Sequence, residues 1–490
     1  MQFTLTPVLI SCQVLFEISI YCVHVFFSIF LLNCFFFITL VLLNIYLKFQ
    51  ITQTIYKSLN FIMIFMLIVL FVGLVNLILI YTPYSLSSHY SSFKITYFVY
   101  YLFPFAYIFI IITLLTLIFC ILYNQTEVLN FSLLVTFIFI TGLNLFWINS
   151  IILFFLLYEC LLIPSFLILY NFAKTRKCVE AAYLMFFWTQ FGAIFLFFNF
   201  IYLFMLTNTT NFENFVNFQF SNYQINFLTV TAVVGFGVKF PIWPFYDWLP
   251  KAHVEASTNF SIFLSGVLVK LAFFGFVKYL FYLENEFSFL YLYPFLFIGL
   301  VDSSLKLYYQ LDLKKLIAYS TVIEMHWLLI AVMSGQSVMW LVVFFMLISH
   351  ALISSNFFLL IDAVTRRFKT RLITEIRGLF FLTPKLYFIV LQLLLVFLGF
   401  PGSLFFITEF LFFSYLIDIN APLFFLTLLL LYFFVGVSFF KSWFFLLFGY
   451  SDWFMLKTNI LDLDLKELIF FYFFIVLLFW LGITHQFFIF

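Results

Sequence analysis

Four ionisable side chains stand in apolar surroundings, and their types define the chemistry available. Lys239 closes the stretch Leu228 to Phe240, and Lys270 lies in the next apolar run. Glu159 and Glu409 occupy two more, Glu159 within Leu156-Leu157-Tyr158-Glu159-Cys160-Leu161-Leu162. An ammonium at the centre of a bilayer costs roughly 2.5–3.5 kcal/mol on insertion scales, so such a residue is a functional candidate by default. Ammonium and carboxylate groups that change protonation state at membrane depth, close enough for waters to bridge them, make a proton route. The competing reading is a set of static ion pairs that hold helices together. Four such groups beside broken helices favour the route.

Histidine titrates near physiological pH and extends the set. His350, beside Ser354 and Ser355 on a helix turn, is the relay candidate. A lone membrane histidine more often hydrogen-bonds across helices, the reading taken for His326 and its neighbour Glu324. His253 and Glu255 follow Lys251 near a loop mouth and read as a structural or gating pair. For Glu409 the plainer alternative is a fixed counter-ion for Lys441 on the next helix.

Two breaks must position these groups. Lys239-Phe240-Pro241-Ile242-Trp243-Pro244 cannot continue as an intact helix. Gly399-Phe400-Pro401-Gly402 precedes Glu409 by about two helical turns. Broken helices are tolerated in lipid only where protein or a water-filled cavity surrounds them. Paired breaks in two halves of a transporter point to inverted repeats around a midplane site.

The rest of the chain is built for lipid. Mean hydropathy is +1.20 and charged residues make up 9%, against about 25% in soluble domains. Fourteen apolar runs are long enough to span. They predict an all-α polytopic membrane protein of about 14 transmembrane helices, with two Pro/Gly-broken helices. Residues 1–122 hold the N-terminal helices, 123–450 the translocating core, and 451–490 a loop and the last helix. Within the core, five-helix repeats of opposite orientation are expected at about 129–282 and 287–449. Most of the 22 basic residues, among them Lys174, Lys251, Lys314, Arg371 and Lys385, fall in loops that follow odd-numbered helices. The positive-inside rule puts those loops on the cytoplasmic or matrix side and both termini on the other.

The six cysteines are scattered singly, with no Cys-x-x-Cys, and neither a G-x-G-x-x-G nor a Walker loop occurs. Redox chemistry is therefore expected in other chains. Phe supplies 85 of 490 residues and Gly only 15, a bias that suggests an AT-rich organellar genome. Met1 to Ile20 holds no Arg or Lys and resembles neither a secretory signal nor a transit peptide.

Trp248-Leu249-Pro250-Lys251-Ala252-His253-Val254-Glu255-Ala256 and Leu264-Ser265-Gly266-Val267-Leu268-Val269-Lys270-Leu271 resemble the signature of chain 4 of proton-pumping NADH:ubiquinone oxidoreductase, respiratory complex I. Tyr158 to Pro164, Asp312 to Ser320 and Glu375 to Leu379 add to it, and the likeness runs from about residue 130 to 450. It implies an antiporter-like fold of fourteen helices. It also implies that Glu159 modulates Lys239 across the fifth and seventh helices, that Lys270 is a relay lysine on the eighth, and that Glu409 faces the outer exit. No cofactor is implied in this chain, with NADH, flavin, iron–sulfur clusters and ubiquinone held by partner subunits. The partners implied are other membrane-arm subunits and the lipid bilayer, cardiolipin included, with no nucleic acid, and the location is the mitochondrial inner membrane. Ser257 stands where the family usually has Pro, and Phe273-Phe274 where it has a Gly pair. The alternative is a subunit of a multi-chain cation/proton antiporter, which shares the fold without electron transfer.

Overall fold

The architecture is that of a computed structural model, and its helices follow the apolar runs closely. It describes most of residues 148–484, with breaks at 173–174, 283–291, 335–336, 420 and 450–460, and scattered positions from 134 to 145. The expected helices of residues 1–122 lie outside the described residues, as do Cys12, Cys22, Cys34 and Cys120.

In chain order the helices are α1 Ile151–Asn171, α2 Arg176–Thr207 and α3 Asn222–Lys239, then short α4 Trp248–Glu255 and α5 Thr258–Leu280. They continue with α6 Tyr293–Tyr308, α7 Leu313–Met333, α8 Ser337–Phe368, α9 Pro384–Phe397 and α10 Leu404–Ile419. The last are α11 Ala421–Leu428, α12 Val437–Phe448 and α13 Leu465–Thr484. Five described helices are long and apolar enough to cross a membrane by themselves. Without water to satisfy backbone groups, helices are what such a sequence must form in lipid.

Burial separates centre from periphery. The most apolar windows of α7 and α8 are 94% and 100% buried, whereas that of α2 is 39% buried. Phe187, Phe198 and Met205 on α2 are exposed, the expected state of a lipid-facing surface. The polar side chains collect on the central pair: Glu324 and His326 on α7, Ser349, His350 and Asn356 on α8 are all buried. Helices α7 and α8 pack against each other, α6 against α7, and α10 against α8.

Both expected breaks are present, each dividing an apolar run. Helix α3 stops at Lys239, residues 240–247 turn, and α4 begins at Trp248. Helix α9 stops at Phe397 and α10 starts at Leu404. Between them Gly399 takes φ +77°, a left-handed conformation open to glycine. A Cβ on Gly399 would stand 2.7 Å from the Glu409 carboxylate, so a small residue is needed there on two counts.

Two segments are π-helical, Leu264–Leu268 inside α5 and Leu429–Gly436 between α11 and α12. Such wide turns often mark functional sites. Where the family's Gly pair is absent, Phe273 and Phe274 are buried, and the Phe273 ring meets Phe240 edge-on at 5.5 Å.

Candidate functional site

The broken helix is held by side chains. With Pro241 and Pro244 unable to donate, the last turn of α3 closes through Phe240 N–H to Phe236 O at 3.1 Å and Ile242 N–H to Gly237 O at 2.9 Å. The buried indole of Trp248 donates to the freed carbonyl of Val238 at 2.8 Å. His326 reaches over from α7, and its Nε2 accepts the Trp243 N–H at 2.9 Å. Its Nδ1 donates to Val322 O at 2.8 Å. Both ring nitrogens of His326 are thus spent on backbone groups, and the tautomer with the proton on Nδ1 is fixed. This bond pattern makes His326 a clasp on the break. Gly299 on α6 leaves room for its ring.

Lys239 sits at the end of α3, at the break. Its Nζ bonds Glu159 Oε1 at 2.8 Å and donates to Tyr158 O at 3.0 Å, and it stands 3.6 Å from the centre of the Tyr158 ring. The two charged side chains are 13% and 19% exposed, so the pair is largely desolvated. Glu159 Oε2 accepts a hydrogen bond from Gln190 on α2 at 3.3 Å. Glu159 and Lys239 are therefore brought together as expected. Gln190 and Tyr158, which complete the shell, carry no charge; Gln190 gave no signal in the sequence, and Tyr158 entered only through the motif Tyr158 to Pro164.

Lys270 is 4% exposed, and its Nζ donates to the carbonyl of Ser265 within the π-helical turn. Among the described residues no ion pair holds it, and the carboxylate in electrostatic reach is Glu324. Glu324 bonds across helices and not to its sequence neighbour His326: its Oε2 pairs with His350 Nδ1 across the α7–α8 interface. Ser354 and Ser355 hydrogen-bond carbonyls of their own helix and not His350. On α4, His253 is fully buried and stacked on Phe358 at 4.7 Å, with neither ring nitrogen partnered among the described residues. It is buried deeper than a residue at a loop mouth. Its neighbour Glu255 accepts the Cys178 thiol at the backbone carbonyl.

Glu409 lies on α10 behind the second break. Its partner is Tyr432 of the π-helical segment, whose hydroxyl donates to Oε2 at 3.1 Å. Lys441 does not pair with it; that ammonium stands 5.0 Å from the centre of the Tyr308 ring. Glu324 and Glu409 are near enough to feel each other's charge. A pocket of about 540 Å³, lined by Asp312, Lys314, Lys369, Arg371 and Glu375, opens among the basic loops and not around these buried groups. Among the described residues no three His, Cys, Asp or Glu side chains are grouped to hold a metal ion.

Residues 148–435 match the family described as the transmembrane domain of NADH:quinone oxidoreductase and Mrp antiporters. NADH-ubiquinone oxidoreductase chain 4 of Paramecium tetraurelia is 36% identical over 323 residues, 66% of this chain and 68% of that protein. The chain belongs to the NADH:quinone oxidoreductase/Mrp antiporter family, among its NADH-ubiquinone oxidoreductase chain 4 members. A chain of respiratory complex I from Thermus thermophilus superposes with a TM-score of 0.69 at 22% identity, covering 78% of this chain and 81% of that one. One from the Mrp complex of a Dietzia species gives 0.69 at 20% identity, with 79% and 43% covered. Both likenesses establish the antiporter-like membrane fold.

Proposed function

We propose that this chain is a membrane-arm subunit of mitochondrial respiratory complex I and moves protons across the inner membrane, with no redox group of its own. The observation that carries the reading is the desolvated Glu159–Lys239 pair at a helix break, 2.8 Å apart. Removing one partner of a buried pair costs about 3–5 kcal/mol, so a pair of this kind couples the charge state of one residue tightly to the other. From Lys239 the route continues to Lys270, then His350, then Glu409, where α10 follows the second break. Protons leave there on the outer side.

The same proposal includes fourteen helices, with residues 1–122 and 451–490 flanking a core of two inverted five-helix repeats at 129–282 and 287–449. The breaks after Lys239 and before Glu409 support the repeats, and the one-sided basic loops support a matrix face for Arg366 to Lys385. Partners are other membrane-arm subunits and lipid, cardiolipin among the lipids, and flavin, iron–sulfur clusters and quinone chemistry belong to those other subunits.

The second reading, a subunit of a cation/proton antiporter assembly, shares the fold, and the Mrp structure superposes with the same TM-score of 0.69. The chain 4 relative at 36% identity tips the balance to the first. Native electrophoresis separates them: the chain co-migrates with NADH dehydrogenase activity under the first reading and without it under the second. Glu159→Gln tests the mechanism. Proton pumping and coupled NADH:quinone turnover should fall strongly, and Glu159→Asp should keep part of both. Pumping by Glu159→Gln at the parental rate and proton-to-electron ratio would make the pair structural.

A further inference from the structure

Lys239 has a carboxylate at 2.8 Å, yet Lys270, more deeply buried, has none within ion-pairing distance among the described residues. A buried ammonium left alone is costly, so its compensation must come from elsewhere. Glu324 supplies it. The residue is 4% exposed on a helix whose apolar window is 94% buried, and its carboxylate is in electrostatic reach of Lys270. It is bonded to the His350 ring, itself 1% exposed. Each member of this pair keeps one open atom: Glu324 Oε1 and His350 Nε2 have no hydrogen-bond partner among the described residues. Buried polar atoms of native proteins are nearly always satisfied, and orphaned ones mark a water or a functional role. Glu324 is bonded to His350 on α8, and charge acts between it and Lys270 on α5 and Glu409 on α10, as it does between His253 on α4 and His350.

Building on the proton-translocating reading above, we propose that Glu324 and His350 act as one proton-sharing dyad, the counter-charge of Lys270 and its acceptor on the way to Glu409. With Lys270 as the ammonium, the dyad holds one proton between carboxylate and imidazole and carries a charge of −1. When Lys270 releases its proton, an N–H bond breaks on Nζ and one forms at an open dyad atom. Lys270 is then the neutral amine and the dyad is neutral. The sum over Lys270 and the dyad is zero before and after, so no uncompensated charge appears in the low dielectric during transfer. The dyad returns to −1 by passing its proton to the Glu409 carboxylate. Without Glu324, Lys270 and His350 would hold a charge of +1 in the loaded state. Lys270 thus has in Glu324 what Lys239 has in Glu159, but at one remove and through a histidine.

The test uses the assembled complex carrying Glu324→Gln, Glu324→Asp or Lys270→Met, with assembly, pumping and the pH profile of coupled turnover measured for each. Lys270→Met should abolish pumping. Pumping by Lys270→Met at the parental rate would overturn the translocation reading itself, and this inference with it. With Lys270→Met inactive, Glu324→Gln should assemble and lose turnover by about 100-fold, the scale of a positioned acid–base group. Glu324→Asp should keep part of the rate with a displaced pH profile. Glu324→Gln within twofold of the parent and with the parental pH profile would overturn the dyad alone. If Glu324→Gln does not assemble, Glu324→Asp decides: a parental pH profile overturns the proposal, and a displaced one supports it.

Discussion

Replacing His326 by leucine should weaken the protein without silencing it, and replacing it by glutamine should do neither. The ring accepts the Trp243 N–H at 2.9 Å and donates to Val322 O at 2.8 Å, in a fully buried position. Leucine leaves the Trp243 N–H without its acceptor, beside two prolines that offer no donor of their own. An orphaned buried backbone group costs roughly 1–3 kcal/mol. The Val322 carbonyl stays inside the α7 ladder and adds little. Glutamine places an amide oxygen near the position of Nε2 and should restore most of the loss. Because a large membrane assembly inactivates irreversibly, the reading is a rate of thermal inactivation. At about 1.4 kcal/mol per factor of ten, His326→Leu should inactivate about 5- to 140-fold faster than the parent. Its proton-to-electron ratio, measured well below that temperature, should be unchanged. A His326→Leu complex that inactivates at the parental rate but no longer pumps would refute the reasoning, because the ring would then be carrying protons and not holding the helix break.

Two further outcomes follow from the geometry. Tyr432→Phe removes the donor at 3.1 Å from Glu409, a hydrogen bond to a chargeable group worth about 1.5–3 kcal/mol; coupled turnover should drop roughly tenfold in a complex that still assembles, and a parental rate and pH profile would take Tyr432 off the path. Lys441→Met should leave pumping untouched and should not rescue Glu409→Gln, since Lys441 rests against Tyr308; rescue in the double variant would restore the counter-ion role. For orientation, protease added to right-side-out mitoplasts should spare Arg366 to Lys385 until the membrane is lysed, and earlier cleavage there would reverse the assigned sidedness.

Charges were the legible part of the site. Glu159, Lys239 and Lys270 stand out because an ionised residue in an apolar run is expensive wherever it points. The prolines after Lys239 likewise announce a break, whatever surrounds them. Pairing is another matter. Glu324 and His350 lie 26 residues apart on two helices, and whether they meet depends on how α7 and α8 are rotated about their axes. With both helices apolar on nearly every face, no amphipathic stripe records that rotation. The sequence therefore invited Glu324 to be grouped with His326, two positions away, although residues at that spacing do not face each other on a helix. Gln190 was illegible for a different reason: a neutral amide in a membrane helix carries no electrostatic anomaly until its carboxylate is known. The π-helical turns leave no mark either, since apolar residues fill them as they fill the rest.

The wide turn at Leu264–Leu268 ties aim to cargo. One extra residue in a turn rotates everything after it by about 100° relative to an unbroken helix, at 3.6 residues per turn. Lys270 points where it does because that residue has been inserted just before it, and its own ammonium takes up the Ser265 carbonyl of the insertion. A charged donor binds a carbonyl about twice as strongly as a neutral one. On the proposed route, a Lys270 that gave up its proton would loosen its hold on the turn that directs it, and reloading would tighten that hold, so the winding of α5 would register the occupancy of Lys270.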